Sequence, residues 1–170
     1  MNLIYLSLGS NLGRREQHLE DALELIQSRI GTIEKVSRYY ESESWGYSSK
    51  NSFYNCCVSL RTNMLPLVLL DQLLEIEKAL GRIRENTKGR RGERAYSDRI
   101  IDIDLLLYGD YQMEHPRLVI PHPSMGDRRF VLAPLAEIAP DLIHPLAGMS
   151  INSMLQECAD QVKVAPIGEN

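Results

Sequence analysis

The chain has 170 residues, of which 44% are hydrophobic and 25% are charged, and its net charge is −4. This length and composition are typical of one globular domain with a full core, so residues 1–170 are treated as a single domain. The negative net charge argues against a general affinity for nucleic acid or membranes, and no apolar run reaches the length of a membrane span.

The N-terminus and the cysteines suggest where the protein works. Residues 1–5 enter a strand pattern without a basic segment, so we expect no signal peptide. Three cysteines, two of them adjacent, form neither a disulfide framework nor a zinc site. We therefore expect a cytoplasmic location. The sequence does not fix the oligomeric state, and a monomer is the expectation.

Strand and helix patterns alternate along the first part of the chain. Residues 3–8 predict a strand, and a glycine-rich turn leads from it into a helix that ends near Gly31. The turn lacks the Lys and Ser/Thr of a Walker motif, so it is interpreted as a turn and cap. The apolar positions of this helix follow helical spacing, and they are Leu19, Ala22, Leu23, Ile26 and Ile30.

Two further strands are predicted at residues 33–42 and 53–61. Phe53 and Asn55 share the face of the later strand that points away from its apolar face. A ring beside a carboxamide can hold a flat heteroaromatic ligand, although both residues could simply fill a sheet face. Trp45, in the polar loop between the strands, is either the wall of a binding site or a core plug.

A second helix begins near Pro66 and ends at Gly81. Its predicted inner face includes an acid, Glu77, which needs a cation or a hydrogen-bond donor. Glu77 is interpreted as the partner of a nearby arginine, with a direct metal role as the alternative. The apolar residues assigned to this face are Leu70, Leu73, Leu74 and Leu80.

A basic stretch separates this helix from the next strand. Residues 82–98 show no periodicity, and long loops in compact domains are usually lids or binding loops. We predict a mobile basic loop that closes over a polyanion; the alternative is a solvated loop. The positively charged residues from 82 to 99 are Arg82, Arg84, Lys88, Arg90, Arg91, Arg94 and Arg99.

The chain is organised around the strand that follows, residues 99–108. Ile101, Ile103, Leu105 and Leu107 are predicted to share its core face, because alternate residues of a strand point the same way. Asp102 and Asp104 are placed on the other face, with Ile100 and Leu106. Two carboxylates so close in an apolar strand repel each other, and a divalent cation such as Mg²⁺ would relieve the repulsion.

The remaining sequence predicts a hairpin strand at 118–120, a helix near 150–158 and a last strand at 162–165. His122, fixed between two prolines, and Arg128 are candidates for donating hydrogen bonds to phosphate oxygens. Residues 134–140 are interpreted as packing and turn residues.

Three stretches resemble the 6-hydroxymethyl-7,8-dihydropterin pyrophosphokinases of folate biosynthesis. They are residues 6–13 (Leu-Ser-Leu-Gly-Ser-Asn-Leu-Gly), 99–109 (Arg-Ile-Ile-Asp-Ile-Asp-Leu-Leu-Leu-Tyr-Gly) and 119–141, which begins Val-Ile-Pro-His-Pro-Ser-Met. The resemblance implies transfer of the pyrophosphoryl group of ATP to the pterin hydroxymethyl oxygen, with release of AMP. It also implies an α+β fold, a ferredoxin-like antiparallel sheet with helices on both faces.

The resemblance further implies a role for each matching residue. Asp102 and Asp104 would hold two Mg²⁺ ions, and with Arg82 and Arg99 they would form the catalytic set. The implied pterin-binding residues are Ser42, Ser44, Trp45, Phe53, Asn55, Asp102 and Phe130. The implied ATP-binding residues are Leu70, Glu77, Arg82, Arg84, Tyr96, Arg99, Leu105, Arg117, His122 and Arg128.

The chain departs from the family pattern before the paired acids. Many members carry Trp-Gly-Pro-Arg where this chain has Tyr96-Ser97-Asp98-Arg99. Two other functions use similar features: another two-metal nucleotidyl- or phosphoryl-transferase, which would release pyrophosphate, and a nucleic-acid module, which would bind with a steep salt dependence.

Overall fold

The computed structural model describes residues 1–83 and 96–168. The strands are β1 Asn2–Ser10, β2 Thr32–Val36, β3 Tyr40–Ser42, β4 Phe53–Thr62, β5 Asp102–Tyr108, β6 Met113–His115, β7 Leu118–Ile120 and β8 Val164–Pro166. The helices are α1 Arg15–Arg29, α2 Pro66–Ala79, α3 Arg129–Ile138 and α4 Ile151–Glu157.

A six-stranded sheet in the order β5-β1-β4-β3-β8 forms the centre of the fold, and β2 also pairs with β4. All of its pairings are antiparallel. Strands β1, β2, β4 and β5, with the crossover helices α1 and α2, have the connectivity of a split βαβ unit. Strands β6 and β7 form a separate hairpin.

Two apolar clusters lie on opposite faces of this sheet. One combines alternate residues of β1 and β4 with α1 and α2, and the other contains residues of α3 and α4. Along β1, Ile4, Leu6 and Leu8 face the first cluster and Tyr5 faces the second, as the twofold period of a strand requires. The result is the predicted arrangement of helix layers on both sides of an antiparallel sheet.

The predicted core face of β5 was wrong at Leu107. The pairing of β1 with β5 shifts register between Tyr5 and Leu6, which face Leu107 and Leu105. This irregularity lets Leu107 join the second cluster while Leu105 stays in the first. Asp102 and Asp104 lie before the register shift along β5, so their side chains still share one face of the strand.

The inner face predicted for α2 was right at Leu73 and Glu77 and wrong at Leu70 and Leu74. Leu69, Leu73 and Ile76 are buried with Glu77, whereas Leu70 and Leu74 are only half-buried. The predicted ends of the helix are confirmed. Pro66 occupies its first turn, and Gly81, with φ of +96°, follows the C-cap.

Gly31 follows α1, but it does not act as a left-handed cap. A Cβ atom at this position would overlap the carbonyl oxygen of Arg61, so the glycine allows α1 to end against β4. The single strand predicted at 33–42 is interrupted: β2 and β3 both pair with β4 on either side of residues 37–39.

The C-terminal half contains one helix, α3, that the sequence analysis did not predict. Of residues 134–140, interpreted as packing and turn residues, 134–138 belong to α3, which begins at Arg129 and includes Pro134. Glu137, in the last turn of α3, accepts hydrogen bonds from Arg38 and Tyr40 and fastens the helix to the sheet. Within the described residues, no helix is both long and apolar enough to span a membrane.

Candidate active site

Cross-strand rows of side chains define a pocket at one end of the sheet, on the face that carries α3. Gly9 pairs with Asn55 on one side and with Asp102 on the other, and Ser7 pairs with Asp104. The lining residues are Ser7, Gly9, Ser42, Glu43, Trp45, Tyr47, Phe53, Asn55, Tyr96, Arg99, Asp102, Asp104, Arg128 and Phe130. The sheet register therefore brings the carboxylates and the carboxamide into one pocket.

Two arginines hold the carboxylate of Asp102. Arg82 Nη1 lies 2.7 Å from Oδ1, and Arg99 Nη1 lies 2.9 Å from Oδ2. The side chains of both arginines are 15% exposed, so these ion pairs are largely shielded from water. Such charge-assisted bonds fix the carboxylate and place two guanidinium groups at the edge of the pocket.

Glu77 is the partner of an arginine, as the sequence suggested. Its Oε1 accepts hydrogen bonds from Arg82 Nη1 at 2.7 Å and from the backbone amide of Ile103 at 2.8 Å. Burial alone would lower the pKa of Arg82, but the charges of Asp102 and Glu77 outweigh it and raise that pKa. Arg82 therefore remains charged and links the end of α2 to β5.

Asp104 faces a second pair of basic side chains. His122 Nε2 and Arg128 Nη1 each lie 3.9 Å from its Oδ2. His122 Nδ1 accepts a hydrogen bond from the Ser124 amide, so a neutral His122 carries its proton on Nε2. This nitrogen is the one directed toward the carboxylate.

Aromatic rings surround the guanidinium of Arg128. It lies 4.7 Å from the ring centroid of Trp45 and 5.9 Å from that of Phe130, and its Nη2 donates to the hydroxyl of Tyr96 at 3.0 Å. Arg128 is 8% exposed, and its Nε has no hydrogen-bond partner within the described ranges. A buried donor without a partner inside a pocket is suited to an acceptor on a ligand.

The carboxamide of Asn55 has a fixed orientation. Its Nδ2 donates to Ser42 Oγ at 2.8 Å and to the backbone oxygen of Tyr40 at 3.3 Å. A Cβ atom at Gly9 would lie 3.1 Å from Asn55 Oδ1 and 3.6 Å from the ring of Phe53. The absence of a side chain at Gly9 therefore leaves the space in front of Asn55 and Phe53 open.

Several predicted site residues lie elsewhere. The side chain of Leu105 is buried in the first core cluster, because it faces away from Asp104 on β5, and an ATP contact at this position stays a prediction. Arg117 is half exposed and pairs with Asp71 on α2, next to the half-buried Leu70. The Ser44 hydroxyl donates to the backbone oxygen of Tyr47. Arg84 and most of the predicted basic loop lie outside the described residues.

The sequence did not single out some residues that the pocket contains. Ser7, Gly9, Glu43 and Tyr47 all line it. A glycine at the end of a strand often marks a close approach of a ligand, and this signal was available for Gly9. Nothing local distinguished Tyr47, whose position depends on the fold of the loop after β3.

A family model described as 7,8-dihydro-6-hydroxymethylpterin-pyrophosphokinase (HPPK) matches residues 5–140. The chain belongs to this family. Membership of the HPPK family confirms the predicted enzyme class, an ATP-dependent pyrophosphokinase, and the predicted pathway, folate biosynthesis.

Curated relatives support the same family. The chain is 45% identical over 148 residues to the 2-amino-4-hydroxy-6-hydroxymethyldihydropteridine pyrophosphokinase of Porphyromonas gingivalis, with 86% of this chain and 97% of the relative covered. It is 41% identical over 138 residues to the Bacillus subtilis protein of the same name, with 81% and 78% covered.

Solved HPPK structures share the fold. The wild-type HPPK-DHPS of Plasmodium falciparum with pteroate matches with a TM-score of 0.74 over 92% of this chain, at 17% identity. This chain spans 44% of that longer chain. The likeness confirms the ferredoxin-like α+β fold predicted from the sequence.

Proposed function

We propose that this protein transfers the β,γ-pyrophosphoryl group of ATP to 6-hydroxymethyl-7,8-dihydropterin. The hydroxymethyl oxygen forms a bond to the β-phosphorus, the bond from that phosphorus to the oxygen of the α-phosphate breaks, and AMP leaves. The observation that carries this proposal is one pocket in which aromatic rings and a carboxamide adjoin two carboxylates and several guanidinium groups. Such a pocket suits a flat heterocycle beside a polyphosphate.

The pterin would lie against Phe53 and Phe130, with its polar edge toward Asn55. Both rings line the pocket, and the hydrogen bonds from Asn55 Nδ2 to Ser42 and Tyr40 leave Asn55 Oδ1 on the side of Gly9. A fixed carbonyl oxygen can accept hydrogen bonds from ring and amino N–H groups. Stacking supplies affinity, and the carboxamide selects the edge that is presented.

The residues present fit a magnesium site. Asp102 and Asp104 offer hard oxygen ligands from one face of β5, and their side chains are 25% and 28% exposed in a pocket that a nucleotide can reach. We infer that they hold the two Mg²⁺ ions expected from the sequence. When bound, Mg²⁺ neutralises phosphate charge and lowers the pKa of a coordinated hydroxyl.

The remaining charged groups of the pocket would bind and align the phosphates. Arg82 and Arg99 have further N–H donors besides those that hold Asp102, and His122 directs Nε2 into the same region. Alignment of the nucleophile and leaving oxygen, with positive charge nearby, is the main requirement of phosphoryl-type transfer. Both oxygens of Asp102 accept hydrogen bonds from arginines, so we infer that Asp102 does not take the hydroxyl proton, which passes to solvent.

The products of the reaction test this proposal. The protein is incubated with Mg-ATP and the reduced pterin alcohol, and the nucleotides are separated. We expect AMP and a pterin diphosphate in equal amounts, with no turnover when magnesium is chelated. Release of free pyrophosphate would instead identify the alternative nucleotidyltransferase.

A further inference from the structure

A single carboxylate joins three segments beside the pocket. Asp98 Oδ1 accepts hydrogen bonds from Asn11 Nδ2 at 2.8 Å and from the hydroxyl of Tyr47 at 3.0 Å. Its Oδ2 accepts from Asn51 Nδ2 at 2.8 Å. The donors come from the end of β1 and from the loop between β3 and β4, whereas Asp98 precedes β5.

These bonds connect the two halves of the pocket. Asn11, which is 2% exposed, also accepts from the Arg99 amide at 2.7 Å and donates its own amide to the Arg99 oxygen at 3.1 Å. The backbone of Arg99 is therefore fixed while its guanidinium reaches Asp102. On the other side, Tyr47 lines the pocket in the same loop as Trp45, whose ring contacts Tyr96 edge-on at 5.7 Å.

The chemistry of the network requires a carboxylate. Burial alone would raise the pKa of Asp98, but hydrogen bonds from Ser49, Asn11, Asn51 and Tyr47 outweigh it and hold that pKa below its ordinary value. An ionised aspartate offers acceptors on both oxygens. An asparagine would keep one acceptor and turn an NH₂ group toward donors, so it cannot replace Asp98 by shape alone.

We propose that Asp98 is a positioning residue for the pterin. It fixes the loop that carries Trp45 and Tyr47, which line the pocket, relative to Arg99 before the substrate binds. The inference rests on the proposed function and deepens it. Ordering the loop in advance lowers the entropic cost of binding, so the benefit falls on pterin affinity. The phosphate-binding role proposed for Arg82 and His122 should gain less from it, because the loop that Asp98 holds carries Tyr47 and Trp45.

The test compares Asp98→Asn and Asp98→Ala with the wild-type chain and with Asp110→Asn, an exposed acid in the turn after β5. Calorimetry measures the Kd of the pterin in the presence of a non-hydrolysable ATP analogue and, separately, the Kd of the analogue by itself. Steady-state kinetics give the KM for the pterin and kcat. We expect both Asp98 variants to raise the pterin Kd and KM about 10-fold. Nucleotide Kd and kcat should stay within about twofold, as should every value for Asp110→Asn.

A double-mutant cycle tests separately whether Asp98 and Tyr47 act through the same hydrogen-bond network. Tyr47→Phe removes one donor to Asp98 and keeps the ring. Combined with Asp98→Asn, it should raise the pterin Kd by less than the product of the single effects, because both changes break one network. Independent effects would overturn the proposal.

Other outcomes are equally decisive. A pterin Kd within twofold of wild type in both Asp98 variants would refute the positioning role while leaving the proposed function intact. Equal losses of pterin and nucleotide binding with a lowered Tm would assign Asp98 to folding. A wild-type chain that binds nucleotide and not the pterin would overturn the proposed function and this inference together.

Discussion

The two sides of the pocket are constructed differently. On the phosphate side, Asp102, Arg82 and Glu77 form a chain of short ion pairs anchored on β5 and at the end of α2. On the pterin side, Trp45 and Tyr96 come from segments outside the helices and strands and meet around Arg128. The resemblance assigned Tyr96 and Arg128 to ATP, and we propose that, packed against Trp45, they also shape the pterin side. The carboxylates of the phosphate side lie on α2 and β5, and Arg82 and Arg99 lie in the segments next to these elements. Among the rings, Phe53 and Phe130 lie on β4 and α3, whereas Trp45, Tyr47 and Tyr96 lie in loops.

This difference suggests a division of work. Ion pairs on rigid elements keep phosphate ligands at fixed positions, which transfer of a charged group requires. Loop-borne rings and hydrogen bonds adapt to a flat ligand, so their removal should change affinity more than rate. Substitutions on the two sides should therefore separate kcat from pterin Kd.

The largest effect is expected for Asp104→Ala on the phosphate side. Loss of a metal-binding carboxylate should lower kcat by about 10³-fold, with the fold retained because Asp104 contributes little to either core cluster. Steady-state assays at several magnesium concentrations and circular dichroism measure both properties. Asp110→Ala is the matched control, and turnover at a large fraction of wild type would contradict the metal assignment.

Arg99→Ala should lower kcat by about 10²-fold and weaken pterin binding much less. Its guanidinium contacts Asp102 and is directed to the phosphate side, so the loss falls on the transferred group. Kinetics and pterin titration measure the two effects, with the exposed Arg29→Ala as control. An unchanged kcat would exclude the clamping role.

Phe130→Ala should show the opposite pattern on the pterin side. Stacking of a heteroaromatic ring on an aromatic side chain contributes about 1–3 kcal/mol, so pterin Kd should rise roughly 10-fold or more. Fluorescence titration measures it, and Tyr111→Ala removes an exposed ring as the control. A loss of kcat larger than the loss of pterin affinity would contradict the proposal that residues of the pterin side act mainly on affinity.

Tyr96→Phe should have the smallest effect. It removes the hydroxyl that accepts from Arg128 Nη2 and keeps the ring against Trp45. Loss of one hydrogen bond at a partly exposed position predicts a two- to fivefold rise in pterin KM, about 0.5–1 kcal/mol. An unchanged pterin KM would show that the contact of the Tyr96 ring with Trp45 is sufficient and that the hydrogen bond from Arg128 contributes nothing to pterin binding.

Much of the site could be predicted because it lies on regular elements. The period of a strand placed Asp102 and Asp104 on one face, and helical spacing placed Glu77 on the inner face of α2, where a buried acid needs a cation such as an arginine. The errors have local causes. A register shift turned Leu107 to the other face, and in α2 Leu69 and Ile76, rather than Leu70 and Leu74, are buried beside Leu73 and Glu77.

The sequence by itself determined the paired acids, the helices α1, α2 and α4, the long strands β1, β4 and β5, and the family, because these depend on periodicity and on motifs that are contiguous in the chain. Only the tertiary structure decided that Gly9 lies between Asn55 and Asp102 and that Arg128 contacts the ring of Trp45. It also decided that Asp98 joins the end of β1 to the loop after β3. Such contacts join residues distant in sequence, and their geometry is set by strand register and loop packing, which no local pattern encodes.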